Sequence, residues 1–388
     1  MSLLAVLPQQ GDSIAAAAAA AAVAGHDVSE AAHELRFTDT DKSRGVLPQA
    51  TASYLAFGDS NTKCNVLTDP TWGYPYLIAN GTGKTLTNHG ASGAEVADLF
   101  TPVYTYGRGS DALKTLMIGT NDAQLRGTNG RAYFRAALLG NLAWLTCPTT
   151  RILRWDDAAL TYAGTWANAG AYGGCKRSDS IGSSVSGSVA GRTVYVGFVT
   201  LATGEQTTVE IDGVSVFSGA VTPLYASTQN GLFYGISAMR FTGLSRASHT
   251  VKVTHSSGTA GNLYFAFMSG AGLAGDTLPQ CCLIPNIPYQ SFGGEYDAYN
   301  AIAADVGSVL RGDGLNLIVV NPYSWFVSAD FKDALHLDYS GHSKLAGGIA
   351  AALGITVGRY LPAAATGLAK GMQWYDPAAS NVVKFVSA

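Results

Sequence analysis

The sequence predicts an α/β domain built on a parallel sheet and interrupted by an all-β sandwich. Short apolar runs end abruptly in loops of Gly, Asn or Asp, and stretches compatible with helix lie between them. From about Leu153 to Ser269 the helical stretches stop and strand alternation takes over. At 388 residues the chain is long enough for two packed units, so a seam is expected.

Taken in order, the run Ile14 to Ala24 is almost entirely Ala. No basic residue precedes it, and it is too short and too weakly apolar to span a bilayer, so neither a membrane partner nor a convincing signal peptide is expected. Ala is the best helix former, which predicts a helix over Ser13 to Leu35 that needs neighbours to be stable. Buried strands are predicted at Tyr54 to Phe57, before Gly58-Asp59-Ser60, and at Leu113 to Ile118, before Gly119-Thr120-Asn121-Asp122. Two more follow, at Cys281 to Ile284 and at Leu315 to Val320. Helices are expected over Ala91 to Phe100, Arg131 to Leu145, Tyr296 to Leu310 and Ser340 to Leu353. Alternating strands and helices imply a parallel sheet covered on both faces, with ligands at the carboxyl ends of its strands.

Within the interruption, Thr193 to Val199 alternates in the strand manner. Asp212-Gly213 stands between two alternating runs, a hairpin signal, and Thr250 to Thr254 and Leu263 to Met268 add strands. The expected organisation is a helix and linker over 1–50, an α/β domain over 51–152 and 271–357, an inserted sandwich over 153–270 and a tail over 358–388.

Nearly half the residues are apolar and only 13% are charged, which excludes a disordered chain. The net charge of -3 comes without any dense Lys/Arg block, so nothing supplies the phosphate-neutralising surface of a nucleic-acid binder. Cys64, Cys147, Cys175, Cys281 and Cys282 are an odd set without C-x-x-C spacing, which reads as buried or free thiols.

A serine hydroxyl is a poor nucleophile near neutral pH and needs a base in reach, with a third group to orient that base. Ser60 follows a strand, and far downstream Asp333 and His336 can meet across one turn of loop. Attack on a carbonyl also needs donors for the oxygen that becomes negative. The Ser60 N–H, Gly93 at a loop-to-helix junction and the Asn121 amide are the candidates. Each has a plainer reading. Ser60 taken alone suits a helix N-cap, Asn121 a turn and Gly93 simple backbone geometry. His342 is expected to pack at the start of the last helix, His89 to approach the site or be exposed, and His249 and His255 to lie on the surface. A metal reading of Asp333, His336 and Asp338 lacks a fourth ligand.

Four blocks, GDS at 58–60, SG at 92–93, GTND at 119–122 and DALH at 333–336, occur in the order found in the SGNH (GDSL-like) hydrolases, which the chain resembles over about 51–150 and 275–357. The companion blocks outweigh the capping reading of Ser60. The resemblance implies a flavodoxin-like three-layer α/β/α fold and a serine esterase without metal or organic cofactor. It implies Ser60 as nucleophile, His336 and Asp333 as the rest of a triad, and Ser60, Gly93 and Asn121 as the oxyanion hole. Many relatives carry Pro after the triad His; here it is Leu337, which leaves the triad intact.

The interruption resembles jelly-roll carbohydrate-binding modules in its Trp- and Gly-rich opening from Trp155 to Gly174, its VEIDG hairpin and the stretch LSRASHTVKVT at 244–254. Trp155, Trp166, Tyr172 and Tyr234 are candidates to stack on sugar rings, although aromatics in a sandwich are more often core. Together these resemblances imply an O-acetyl esterase acting on a polysaccharide. A glycan-binding protein on a hydrolase scaffold and a lipase or thioesterase of the same fold are the alternatives. The Ala-rich start and low charge resemble bacteriophage tail fibre or tailspike esterases, which would imply a virion or extracellular location and a homotrimer.

Overall fold

The computed structural model of the protein describes residues 52–108, 112–170, 174–201, 205–223, 234–257, 262–273, 278–287, 294–322, 325–355, 373–376 and 382–385. The helix expected over Ser13 to Leu35 and the candidate Tyr172 lie outside these residues.

The first strand, β1 (Ser53–Gly58), leads into a single turn of helix, α1 (Ser60–Lys63), and then α2 (Tyr74–Thr82). β2 (Thr85–Gly90), α3 (Phe100–Tyr106), β3 (Leu113–Met117) and the long α4 (Thr120–Thr146) follow. The helix expected over Ala91 to Phe100 is a 3-10 turn at Val96–Leu99 followed by α3. Asp98 Oδ2 accepts from Glu95 N at 2.8 Å there, and the chain enters helix only after Gly93 has turned it.

Eleven short strands come next. They are β4 (Ile152–Arg154), β5 (Thr161–Ala163), β6 (Ala167–Asn168), β7 (Lys176–Ser178), β8 (Ser184–Ala190), β9 (Thr193–Thr200), β10 (Gln206–Ile211), β11 (Val214–Ala220), β12 (Gly235–Phe241), β13 (Ser248–Ser257) and β14 (Leu263–Ala271). The chain then resumes the α/β pattern with β15 (Cys281–Ile284), α5 (Gly294–Gly312), β16 (Leu317–Val319) and α6 (Tyr339–Leu353). In the expected tail, β17 (Gln373–Asp376) pairs antiparallel with β18 (Val382–Phe385).

The α/β sheet runs in the order β16-β15-β3-β1-β2, with every pair parallel. Counted along the chain this is order 2-1-3-4-5, a doubly wound sheet whose direction of winding reverses between β1 and β3. Side chains alternate between its two faces. Tyr54, Ala56, Leu113, Met117, Cys282 and Ile284 pack against Tyr74 and Ile78 of α2 and Leu345 and Ile349 of α6. Phe57, Leu116, Cys281 and Leu283 face α3, α4 and α5 instead. All five cysteines are buried thiols outside any disulfide. Lys114, also fully buried, donates from Nζ to Leu145 O at 3.1 Å, near the C-terminal end of α4 where the helix dipole favours a cation.

The middle strands form two sheets, β11-β10-β13-β8-β5 and β12-β9-β14-β7-β6, with β4 added to β14. Val185, Val209, Ile211, Val251 and Val253 from one sheet meet Val194, Val196, Phe198 and Phe265 from the other in a shared interior. At the β10–β11 turn Asp212 and Gly213 both take positive φ, 52° and 79°, as a two-residue primed turn demands.

The sandwich has no loose seam with the α/β domain. β9, expected to alternate, is buried at all eight positions, because its second face packs on α4. Tyr195 and Val199 of β9, Ile236 of β12 and Phe267 of β14 belong to the same apolar cluster as Tyr133, Leu138 and Trp144 of α4. Trp144 stacks on Tyr104 with centroids 4.1 Å apart and meets Phe267 edge-on at 5.3 Å. A polar tie reinforces the joint. The buried Asp313 carboxylate, just after α5, accepts from Thr193 Oγ1 at 3.1 Å, from the Tyr195 hydroxyl and from Arg240 through Nε and Nη2.

Candidate functional site

The site begins at the turn out of β1. A Cβ at Gly58 would lie 2.2 Å from Thr62 Oγ1 and 2.4 Å from Met117 O, so only glycine lets α1 fold back this tightly. Asp59, not Ser60, is the N-cap: its Oδ1 accepts from Asn61 N at 3.0 Å. Ser60 is therefore the first helical residue and its hydroxyl is free of the capping bond. A four-residue helix has no stability of its own. It is held by Thr62 Oγ1 against Tyr74 OH at 2.9 Å, by Asn88 Nδ2 donating to Thr62 O at 2.7 Å, and by Asn61, buried to 1% exposure, which reaches the loop that carries His336.

That loop is anchored at its base by Asp338 N donating to Asp330 O and by Lys332 N donating to His336 O, both at 2.9 Å. Asp333 Oδ1 accepts from the N–H groups of Leu335 and His336 at 2.7 and 2.8 Å. The same carboxylate lies 2.9 and 3.0 Å from His336 Nδ1. Burial alone would raise the Asp333 carboxyl, but the bonds from Leu335 N–H, the His336 ring and His336 N–H outweigh it and hold the group below its ordinary range. An ionised carboxylate only accepts, so Nδ1 carries the imidazole proton and the Nε2 lone pair faces outward. Nε2 stands 2.9 Å from Ser60 Oγ.

Gly93 and Asn121 follow β2 and β3, the strands on either side of β1, and the ends are level because Gly58 registers with both Gly90 and Met117. Gly93 has φ 71°. Its loop is fastened to the first turns of α4 by three contacts. Asn121 Nδ2 donates to Ala94 O at 2.9 Å, leaving its second N–H for another acceptor. Val96 N donates to both oxygens of Asp122 at 3.0 and 3.1 Å. Arg126 holds Glu95 in a bidentate pair at 2.6 and 2.8 Å. Three proposed donors thus occupy neighbouring strand ends on the side where Ser60 and His336 meet.

Among the described residues, the other histidines take no part in this cluster. His89 is sandwiched between Phe57 and Tyr106, with centroids 5.2 and 4.5 Å away, and burial lowers its basicity. His342 is buried in α6, where its Nδ1 accepts from Tyr74 N at 3.3 Å; burial, then the proximity of His336, pushes it down to about 3. His249 and His255, expected at the surface, are 4% and 1% exposed. They share the inward face of β13 with Val251 and Val253, a period-two pattern that could have revealed them. His249 joins Asp212 at 2.7 Å and Ser245 O at 2.9 Å, tying the β10–β11 hairpin to the loop that leads into β13.

Three of the four candidate sugar-stacking rings are engaged in packing. Trp155 and Trp166 are partly buried against the sandwich interior, the Trp166 N–H donates to Ala163 O at 3.1 Å, and Tyr234 lies edge-on to Phe100. Reading the sequence missed Asn61, Asn88, Asp122 and the Arg126–Glu95 pair. Asn61 and Asp122 lie inside the blocks GDSN and GTND, but no local pattern tells what they hold.

No family model and no curated protein matches the sequence. Among solved structures, the chain is similar to a two-domain esterase active on acetylated mannans, co-crystallised with mannopentaose, at 10% identity and a TM-score of 0.33, over 58% of this chain and 93% of that one. It is also similar to a carbohydrate-binding module, CBM36, in complex with calcium and xylotriose (16% identity, TM-score 0.24, 30% of this chain and 97% of that one). A third is CBM35 from Paenibacillus barcinonensis (13% identity, TM-score 0.23, 30% and 95%). Scores this low leave fold and function to be judged from the chain's own residues.

Proposed function

We propose that the protein is a serine esterase of the SGNH type, with a three-layer flavodoxin-like hydrolase domain, that removes O-acetyl groups from a polysaccharide. The observation that carries the chemistry is the unbroken line from Ser60 Oγ to His336 Nε2 at 2.9 Å and from His336 Nδ1 to Asp333 at 2.9 Å. His336 Nε2 takes the hydroxyl proton as Ser60 Oγ bonds to the ester carbonyl carbon, and Asp333 stabilises the imidazolium. The Ser60 N–H, the Gly93 N–H and the Asn121 amide receive the oxyanion. Collapse breaks the ester C–O bond, and His336 returns its proton to the departing sugar hydroxyl. Water, deprotonated by the same imidazole, then attacks the acetyl-Ser60 intermediate and releases acetate.

The sugar part of the reading rests on the sandwich and its resemblance to carbohydrate-binding modules. Because it shares a core with the α/β domain, a glycan bound there would sit at a constant position relative to Ser60. Acetate release from acetylated glycans, acetylated mannan first, is to be compared with hydrolysis of aryl esters of increasing chain length. Preference for long acyl chains would turn the assignment toward lipases. Ser60→Ala should abolish turnover and leave glycan retention intact; a fully active variant would refute the assignment. A virion fibre context calls for a homotrimer, and a purely monomeric sedimentation profile would remove it.

A further inference from the structure

We infer that Asn61 is a positioning residue that sets the reach of the base, holding His336 at hydrogen-bonding distance from the hydroxyl of the adjacent Ser60. The inference rests on the esterase reading and adds a part to it.

The loop carrying the base is poorly supported where it matters. The Asp333 side chain, which orients the ring, is 51% exposed, so packing contributes little to its position, while that of His336 is 20% exposed. Asn61 supplies what packing does not. Its Oδ1 accepts from Leu337 N at 3.0 Å and its Nδ2 donates to Leu335 O at 3.2 Å, gripping the backbone on both sides of His336. The backbone groups of His336 itself are engaged by Asp333 Oδ1 and by Lys332 N. Three consecutive residues of the loop are thus held by side chains or main chain, and the hold that reaches the helix bearing the nucleophile is the carboxamide of Asn61.

Asn61 is itself fixed. Its N–H is capped by Asp59 Oδ1 at 3.0 Å, and its side chain is buried. Adjacent to Ser60 in the chain, it acts as a spacer between nucleophile and base: any shift of α1 carries the loop with it. The carboxamide matches this task because it offers one acceptor and one donor in a single plane. Asp of the same shape would present a second oxygen to Leu335 O, and Ala would leave the buried Leu337 N–H without a partner. Misplacement of a catalytic group by about 1 Å costs about 10²-fold in rate.

The test is a double-mutant cycle on purified full-length protein with a small aryl acetate, reading kcat and KM separately. Asn61→Ala should lower kcat about 10²-fold, with KM changed less than about twofold. In the His336→Ala background the same substitution should change the residual rate less than about twofold, because the group it positions is gone. A merely structural role would reduce both backgrounds alike. Asn61→Asp, which keeps the size and the Leu337 bond but lacks the donor to Leu335 O, should show the same background dependence and carries the test if the Ala variant does not fold. Wild-type kcat in Asn61→Ala, or equal losses in both backgrounds, would overturn the inference. Full activity in Ser60→Ala and His336→Ala would instead overturn the assignment of nucleophile and base on which the inference rests, and a wild-type protein that turns over no aryl acetate would overturn the esterase reading.

Discussion

Replacing Asp333 by Asn and by Ala separates two jobs that this carboxylate performs. It builds the turn by accepting the N–H groups of Leu335 and His336, and it fixes the imidazole tautomer by accepting the Nδ1 proton. Asn keeps the first job, since its carbonyl oxygen takes the place of Oδ1. Its NH2 group then faces Nδ1 and makes that nitrogen an acceptor. The proton moves to Nε2, which points at Ser60 Oγ and can no longer receive the hydroxyl proton. Ala loses the turn contacts, but the side chain it replaces is half exposed, so water can accept the Nδ1 proton and preserve the productive tautomer. Asp333→Asn should therefore lose about 10⁴ in kcat, close to 5 kcal/mol of transition-state stabilisation, as a wrong tautomer does in triads generally. Asp333→Ala should be the milder variant, at roughly 10² to 10³. Steady-state hydrolysis of an aryl acetate measures both. An Asn variant more active than the Ala variant would show that turn building, not tautomer control, is what the carboxylate does.

Asn121→Ala should lower kcat about 10²- to 10³-fold, the effect of one oxyanion donor, while Ser60 still reacts with a serine-directed phosphonate; equal activity would exclude its amide from the oxyanion hole. Burial pushes the Asp59 carboxyl up to about 6 from 3.8, so the native state holds a proton that the unfolded chain has already lost. Stability is then lost as pH rises between about 4 and 6, by up to about 3 kcal/mol, and is level above that. Asp59→Asn keeps an acceptor for Asn61 N–H and should raise the denaturation midpoint at pH 7 relative to its effect at pH 4; an equal effect at both values would contradict the assignment. Trp144→Ala, at the joint between α4 and the sandwich, should cost about 3–5 kcal/mol and lower one shared unfolding transition. Separate transitions, with only one displaced, would show that the two units do not share a cooperative core.

Local signals in the sequence carried a good part of the architecture. The strand at Cys281–Ile284 has the expected bounds, Asp212-Gly213 turns as its residue types require, and Leu353 ends the last helix before Gly354 takes φ 65°. The motif blocks brought Ser60, Gly93, Asn121, Asp333 and His336 to notice because each ends a strand or opens a loop in a recognisable order. Where the expectation differed, a longer-range force prevailed. β9 is buried on both faces because α4 covers one of them, and His255 is inside because β13 is part of a sandwich.

By itself the sequence determined the type of several segments, the strand at Cys281–Ile284, the Asp212-Gly213 turn and the last helix among them, since propensity, periodicity and glycine act over a few residues; it did not mark β2 or α2. It also determined which chemical groups were available for a site. Only the tertiary structure decided how those groups meet. The Ser60–His336 distance spans 276 positions of chain, and the Asn61 contacts span 274 and 276. The Asp122 bond to the Gly93 loop and the fusion of sandwich to helix are likewise products of closure. Such contacts form because burying the apolar faces of all these elements at once admits few arrangements, and no window of neighbouring residues encodes which one.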